Sequence, residues 1–249
     1  MLTPQQISLF NSQGYLVLKQ FCPASVLQQL NLQVKQELDQ RIEPLELEST
    51  VGYPGAPATG ADGDHTIRRL LTASDRDPVY REWACYPKLK AILTQLLPSS
   101  PILVRAHHNC VMTKHPHFSS DSWWHQDLRY WNYSEGNLIS AWTALGTEHI
   151  ENGCLQVIPG SHRLAYSAEQ FDQQKFFRQD LALNQPILQQ ALPVELEAGD
   201  TVLFHCRLLH AARRNSTEHT KKATVFTYRS DLDQPLPNTR SSSINDIEL

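Results

Sequence analysis

The sequence predicts a single α+β domain, spanning residues 1–249, with a β-sandwich or β-barrel core. Two observations support this prediction. Apolar residues recur at helical spacing within the first hundred residues, as in Leu30, Val34 and Leu38. After residue 100 the chain changes to short segments rich in β-branched and aromatic residues, which turn-forming residues separate. We therefore expect N-terminal helices that flank a later β core.

The N-terminal region contains three helical patterns and one loop. Thr3 is a suitable N-cap and Pro4 a suitable first helical residue, so a helix is expected over 3–13, followed by the strand-like run YLVLKQF. The segments SVLQQLNLQVKQELDQRI and VYREWACYPKLKAILTQLL predict two more helices, the second interrupted near Pro87. Residues 49–64 are rich in glycine, proline and alanine, and they predict either a surface loop or a mobile lid.

The region after residue 100 predicts the β core. Asn152-Gly153 predicts a tight hairpin between two strands. Residues 165–190 predict a polar helical insertion, and the last residues, PNTRSSSINDIEL, predict a loosely held tail. The strand-like segments are ILVRAHHNCVMTK, LISAWTALG, CLQVI, LPVEL, TVLFHC and ATVFTYR.

Charge and cysteine content narrow the class of partner and the compartment. The chain carries 22 Lys and Arg against 26 Asp and Glu, a net charge of −4, which argues against nucleic acid or an anionic membrane surface as the main partner. No apolar stretch approaches the roughly 20 residues of a membrane span, and the N-terminus lacks the pattern of a signal peptide. Five scattered cysteines without CxxC spacing indicate reduced thiols, so a cytoplasmic location is expected.

The stretch SSDSWWHQDLRYW places His125 and Asp127 two residues apart, so that on an extended strand both side chains point to the same face. One further imidazole would complete two histidines and a carboxylate, the set that binds non-haem Fe(II) with open coordination positions. The strand AGDTVLFHCRLLHAARRN offers His205 and His210. By itself this spacing is weak evidence, because surface polar residues often produce it. Four other histidines are expected to be mostly structural or exposed: His107, His108, His115 and His117.

Longer segments resemble the phytanoyl-CoA dioxygenase family. WWHQDLRYW, ISAWTALGTEHIENGCLQVIPGSHR and LEAGDTVLFHCRLLHAARRNSTEHTKKA are similar to its successive signatures, and LTPQQISLFNSQGYLVLKQF is similar to its start. The resemblance covers nearly the whole chain. It implies a double-stranded β-helix, or jelly roll, and an Fe(II)- and 2-oxoglutarate-dependent oxygenase that uses O2. The metal ligands of the family match His125, Asp127 and His210, which leaves His205 a structural role.

The resemblance also implies the reaction, in which a hydroxylase converts 2-oxoglutarate to succinate while it oxidises a small organic substrate. Halogenating relatives carry a small residue in place of the carboxylate, whereas Asp127 is present here. The family name does not imply an acyl-CoA substrate, since nothing in the sequence resembles an adenine or pantetheine site. The identity of the substrate and the oligomeric state stay open.

The chain departs from the family at the expected cosubstrate site. An arginine eleven residues after the distal histidine usually pairs with the far carboxylate of 2-oxoglutarate, and here this position is Lys221. A common serine two residues after that histidine is Ala212. Lysine is a point-charge donor without the bidentate fork of arginine. Three interpretations stay open: 2-oxoglutarate bound through Lys221, a different 2-oxo acid, or an anchor at Arg213 or Arg214.

Two further residues match cosubstrate positions of the family. Trp142 matches a tryptophan beside the cosubstrate, although a role as a core aromatic residue explains it equally well. Arg69 lies roughly where family members carry a basic residue upstream of the sheet, and a surface salt bridge would explain it as well.

Two other classes of function compete with an oxygenase. The first is a metal-binding jelly-roll sensor or ligand-binding protein without oxygenase activity, which the changes at Lys221 and Ala212 favour. The second is a zinc or manganese hydrolase or isomerase on a cupin-like barrel. It uses similar ligands but leaves the extended signatures unexplained.

Overall fold

The computed structural model describes all 249 residues. The helices are α1 (Pro4–Gln13), α2 (Ala24–Gln40), α3 (Glu48–Val51), α4 (Pro78–Ala84), α5 (Pro87–Leu96) and α6 (Gln185–Leu188). The strands are β1 (Tyr15–Leu18), β2 (Leu45–Leu47), β3 (Ile67–Leu71), β4 (Pro101–Lys114), β5 (Ser122–His125), β6 (Leu138–Ala144), β7 (Leu155–Val157), β8 (Leu192–Val194), β9 (Thr201–His205), β10 (His210–Ala212), β11 (Lys221–Ser230) and β12 (Ile247–Glu248).

Two antiparallel sheets form the core and confirm the predicted α+β class. The large sheet has the strand order β1-β9-β6-β11-β4-β3-β2, and β12 adds to β4. The small sheet has the order β5-β10-β7-β8. From β4 to β11 the chain crosses repeatedly between the sheets, as β4 to β5 and β6 to β7 do, which is the double-stranded β-helix, or jelly-roll, arrangement.

The N-terminal helices cover one face of the large sheet. Alternation along the strands sends Val111, Leu203 and Phe226 into the core cluster that contains the helix residues Tyr80 and Trp83. The neighbours of those strand residues in sequence point to the opposite face, where they line the space between the sheets. No helix of the fold combines the length and the apolar character that crossing a membrane requires.

The helix predictions agree with the structure in detail. The Thr3 hydroxyl accepts a hydrogen bond from the backbone N–H of Gln6, and Pro4 opens α1. The third helical pattern divides into α4 and α5, because Pro87 starts a new helix there.

The predicted hairpin at Asn152-Gly153 is wrong. Gly153 has φ of +78° and ends a short 3-10 turn (Ile150–Asn152), after which the chain leaves the large sheet and enters the small one. A Cβ atom at Gly153 would lie 2.3 Å from the carbonyl oxygen of Arg213, so this corner requires glycine for space as well as for its backbone angle. The chain does turn at Gly153, as predicted, but β6 and β7 on either side of the turn pair with other strands and not with each other.

Two other expectations also need correction. Residues 165–190 contain only short 3-10 turns and the four-residue α6, because their aromatic residues pack on each other, as Tyr166 and Phe171 do on Phe177. The C-terminal tail is held in place: β12 pairs with β4, and Asp246 accepts a hydrogen bond from the Arg229 guanidinium at 2.7 Å.

Candidate metal centre

Two histidines and one aspartate converge at the edge of the small sheet. His125 ends β5, Asp127 opens the 3-10 turn that follows, and His210 begins β10 in direct register with His125. One ligand atom of each residue lies within 4.8 Å of the ligand atoms of the other two. The structure thus brings together the three residues that the sequence nominated.

Hydrogen bonds fix the orientation of both imidazole rings. Nδ1 of His125 lies 2.6 Å from the carbonyl oxygen of Trp123, and Nδ1 of His210 lies 2.9 Å from that of Leu208. Because a carbonyl oxygen only accepts, Nδ1 carries the proton in each neutral ring and Nε2 keeps its lone pair. The Nε2 atoms of His125 and His210 lie 3.8 and 3.5 Å from Oδ1 of Asp127. Both lone pairs are therefore available beside one carboxylate oxygen.

The protonation states suit a cation. Burial would raise the pKa of Asp127, but His108 and His210 hold that pKa well below its ordinary value, so the carboxylate is charged. Burial, His210 and Arg129 lower the pKa of His125 well below its ordinary value, so this imidazole is neutral. A charged carboxylate and a neutral imidazole are the forms that bind a divalent metal ion.

His108 is a neighbour of the site that sequence reasoning missed. Residues 105–108 bulge out of β4, because Phe226 pairs with Asn109 while the next residue, Thr227, pairs with Val104. The bulge brings Nδ1 of His108 to 3.3 Å from Oδ2 of Asp127. Their alignment falls short of a hydrogen bond, yet neither atom has another partner. Strand alternation alone gives no sign of a bulge.

A cavity of about 380 Å³ adjoins the three residues and lies between the two sheets. Nine buried side-chain atoms in the protein have no hydrogen-bond partner, and five of them belong to residues that line this cavity. Such groups are rare in folded proteins unless a ligand, ion or water completes them. Those five residues are Glu46, Arg68, His108, Asp127 and Arg129.

Lys221 lines the cavity but already has a buried anionic partner. Its Nζ lies 3.0 Å from Oε2 of Glu148 and 4.7 Å from the centre of the Trp142 ring. The Trp142 indole N–H donates to the other oxygen of Glu148 at 2.9 Å. The family resemblance placed both Trp142 and Lys221 at the cosubstrate site, but the sequence did not identify Glu148, whose carboxylate offsets the charge of the lysine.

Two other basic residues lie on the same face of the large sheet. Arg69 on β3 lies across from Met112 on β4, and the Lys114 side chain, in register with Lys221, donates to the carbonyl oxygen of Ser120 at 2.7 Å. Nε of Arg69 lies 3.5 Å from Glu46, while its two terminal nitrogens have no protein acceptor. Burial, Arg68 and Lys221 lower the pKa of Lys114 to about 7.

The remaining candidates lie away from the cavity. Arg213 and Arg214 border a separate surface depression, and the Arg214 backbone N–H donates to Asp121 at 2.7 Å. His205 accepts a hydrogen bond from the backbone N–H of Arg207, and its ring lies 5.3 Å from that of His162. Among the basic candidates, only Arg69 and Lys221 therefore line the cavity beside the metal residues.

Comparison with known proteins decides the family. The profile described as Phytanoyl-CoA dioxygenase (PhyH) matches residues 10–223, which include His125, Asp127 and His210. The chain belongs to the phytanoyl-CoA dioxygenase family. Two relatives are a probable phytanoyl-CoA dioxygenase of Caenorhabditis elegans, 27% identical over 92% of this chain and 76% of that protein, and the peroxisomal phytanoyl-CoA dioxygenase of Homo sapiens, 27% identical over 89% and 67%.

Solved structures support the jelly-roll assignment of this family member. EctD from S. alaskensis with bound Fe has a TM-score of 0.79 at 17% identity, covering 100% of this chain and 87% of that one. The epimerase SnoN in complex with Fe3+, alpha ketoglutarate and nogalamycin RO has a TM-score of 0.74 at 18% identity, covering 98% and 93%. At 17% and 18% identity, the similarity to these two structures establishes the fold of the chain. Membership of the family makes the chain an oxygenase that uses iron, 2-oxoglutarate and O2.

Proposed function

We propose that this dioxygenase binds one Fe(II) through His125, Asp127 and His210 and hydroxylates a small organic substrate, with 2-oxoglutarate converted to succinate. The observation that supports it is the convergence of two imidazole lone pairs and one charged carboxylate within 4.8 Å. The donor set fits a borderline divalent ion with three open positions. Bound iron would supply the O2 activation that couples decarboxylation of the 2-oxo acid to oxidation of a C–H bond.

The protein groups around the site have separate tasks in this proposal. The carbonyl oxygens of Trp123 and Leu208 hold the two imidazoles in one tautomer, so the site is ordered before metal arrives. Asp127 would hold the metal where halogenating relatives carry a small residue in place of the carboxylate, which favours hydroxylation. The cavity lies between the two sheets, whose walls would limit the access of bulk water to the reacting atoms.

For the cosubstrate, we propose that Lys221 and Arg69 together receive the distal carboxylate of 2-oxoglutarate, with Trp142 packed against Lys221. Glu148 offsets one positive charge, so Lys221 alone provides no net charge, and the free terminal nitrogens of Arg69 supply the bidentate fork that lysine lacks. Arg69 and Lys221 line the cavity, whereas Arg213 and Arg214 border a separate depression. Their position therefore favours Arg69 and Lys221 as the cosubstrate site.

Replacing Arg69 with glutamine is expected to raise the apparent constant for 2-oxoglutarate by roughly 10- to 100-fold, because a charge-assisted carboxylate contact contributes about 1.5–3 kcal/mol. Steady-state succinate formation measures the constant, and Fe(II) affinity should stay unchanged. Arg214→Gln is the matched control, since it removes the same charge outside the cavity. Equal constants in the Arg69 variant and the native protein would show that another group anchors the cosubstrate.

His108 is expected to strengthen metal binding by orienting the free oxygen of Asp127. His108→Phe keeps an aromatic edge against Trp131 but removes the donor, so the dissociation constant for Fe(II) should rise about 10- to 100-fold. Competition with a metal-binding dye under anaerobic conditions gives this constant. His107→Phe is the control, since His107 stacks on the same tryptophan but bonds to Ser241 instead.

The test of the proposed function is aerobic conversion of 2-oxoglutarate to succinate by Fe(II)-loaded protein, followed with and without candidate small molecules. Succinate formation that requires both Fe(II) and O2 supports an oxygenase. Iron binding without any succinate would favour the sensor, for which the Lys221–Glu148 pair in the cosubstrate pocket is the supporting observation. Conversion of a candidate small molecule by protein loaded with zinc or manganese, without 2-oxoglutarate, would favour the hydrolase or isomerase.

The size of the site supports a small substrate. A cavity of about 380 Å³ lies near the lower end of ligand pockets, and the cosubstrate takes part of it. The cytoplasm remains our proposed location, supported by five free thiols, while several mammalian relatives are named as peroxisomal. Fractionation of cells that express a tagged protein tests this location.

A further inference from the structure

Basic residues outnumber acidic ones in the lining of the cavity, and some of these basic side chains have no role in binding iron or its cosubstrate. Two acidic residues line it, Glu46 and Asp127, against six basic ones. Three of the basic side chains have a carboxylate within 4 Å, and three have none: Lys114, Arg129 and Arg240. Cations in an enclosed site usually pair with an anion, so the unpaired ones indicate what the site binds.

These three residues differ in their exposure to solvent and therefore in their depth in the cavity. Lys114 is 7% exposed and lies at the closed end of the cavity, where Lys221 is 5% exposed. Arg240 is exposed and Arg129 is half-buried beside Tyr130, which is 50% exposed, so these two stand at the open end. The closed end belongs to the cosubstrate under the proposed function, and the two arginines at the open end are left for the substrate.

Arg129 is held rigidly at this open end. Its guanidinium lies 4.2 Å from the centre of the Phe176 ring and 4.6 Å from that of Tyr130, and it donates to the Tyr53 hydroxyl at 2.7 Å. Its Nη1 atom has no acceptor. The Lys175 ammonium donates to the Arg129 carbonyl oxygen at 3.1 Å, so residues 49–64 and 165–190 both fix this arginine.

Arg240 reaches the cavity from the C-terminal region. Its Nε donates to the carbonyl oxygen of Ala106 in the β4 bulge at 3.1 Å, which leaves both terminal nitrogens without a protein acceptor. The next residue, Ser241, bonds to His107, whose ring stacks on Trp131. The tail is therefore fixed where its arginine can present a planar donor fork beside an aromatic wall.

We propose that the substrate carries a carboxylate or phosphate group that binds Arg240 and Arg129 at the open end of the cavity. The rest of the substrate packs on the aromatic side chains of Tyr53, Tyr130 and Trp131, which places it on the His108 side of the metal centre. The assignment of this anion as the substrate rests on the proposed function, whereas the anion site itself rests on the two arginines.

A matched set of probes tests the anion site by calorimetric titration: 3-phenylpropionate, 3-phenylpropyl phosphate and the neutral 3-phenylpropanamide. At least one anion should bind about tenfold or more tightly than the amide. This preference should fall to about twofold or less in Arg240→Gln, an exposed position that does not endanger folding, and in Arg129→Gln. Arg163→Gln, which removes an exposed arginine whose side chain makes no hydrogen bond or ion pair, should keep this preference. The more strongly affected anion identifies carboxylate or phosphate chemistry.

The titrations are run on metal-free protein and again on protein loaded anaerobically with Fe(II) and 2-oxoglutarate. We expect the same preference, and the same loss in both arginine variants, in each state. Equal binding of amide and anions, no binding of either anion, or a preference that both arginine variants retain overturns the proposal. The proposal is also overturned if loading with Fe(II) and 2-oxoglutarate abolishes the preference for the anion and Arg240→Gln leaves that preference unchanged. The anion would then occupy the cosubstrate site. Failure of the protein to load iron and 2-oxoglutarate would count against the proposed function and leave the metal-free result intact.

Discussion

Replacing His210 with alanine is expected to abolish stoichiometric Fe(II) binding and, with it, the conversion of 2-oxoglutarate to succinate. The substitution leaves one imidazole and one carboxylate, and two ligands do not hold a divalent ion against water in an open site. His210 is 5% exposed and belongs to the three-residue strand β10, so thermal unfolding must be measured to show that the fold survives. Iron content after anaerobic loading and desalting gives the binding stoichiometry.

His205→Ala is the matched control, because it removes an imidazole five residues earlier in the same region. Its ring contacts His162 and the backbone of Arg207 and does not line the cavity. We expect this variant to bind one Fe(II) and to form succinate. Full activity in His210→Ala combined with loss in His205→Ala would mean that the wrong imidazole had been assigned to the metal.

Replacing Lys221 with alanine is expected to lower the free energy of unfolding by about 3–5 kcal/mol, since it leaves the carboxylate of Glu148 buried without its cation. The side chains of the two residues are 3% and 0% exposed, so solvent does not compensate. The same substitution should raise the apparent constant for 2-oxoglutarate by roughly 10- to 100-fold. Chemical denaturation gives the stability, and succinate formation gives the constant.

A double variant separates the two effects. Lys221→Met with Glu148→Gln removes both charges while it approximately keeps the volume, so most of the lost stability should return. The 2-oxoglutarate constant should stay high, because the ammonium that meets the carboxylate is still missing. Recovery of both stability and cosubstrate affinity in the double variant would show that Lys221 serves only to neutralise Glu148.

Local sequence signals were sufficient for much of the fold. The N-cap at Thr3 and the helix break at Pro87 need only neighbouring residues, and both are observed. The positions of seven strands likewise follow from β-branched and aromatic runs, whereas β2, β3, β5, β10 and β12 were not predicted as separate strands. The conformation at Gly153 is also local, but its function as a corner between sheets depends on the Arg213 carbonyl 60 residues away in sequence, which no local pattern reveals.

For the candidate site, too, the sequence predicts individual residues but not their distant partners. The H-x-D spacing offers His125 and Asp127 with either His205 or His210, the resemblance to the family selects His210, and the structure brings these three residues together. The partners of this set depend on long-range pairing: Glu148 lies 73 residues from Lys221, and His108 reaches Asp127 only because four residues bulge from β4. Position in sequence carries no information about either contact.

In the proposed function, His125, Asp127 and His210 hold one iron to which 2-oxoglutarate binds. An anaerobic titration of the protein with Fe(II) and 2-oxoglutarate tests it most directly, through the weak visible metal-to-ligand charge-transfer band of that complex. We expect the band to saturate at one Fe(II) per chain, to persist in His205→Ala and to be absent in His210→Ala. A protein that binds Fe(II) without developing the band, or a band that survives in His210→Ala, would show that these three residues do not hold an iron that binds 2-oxoglutarate.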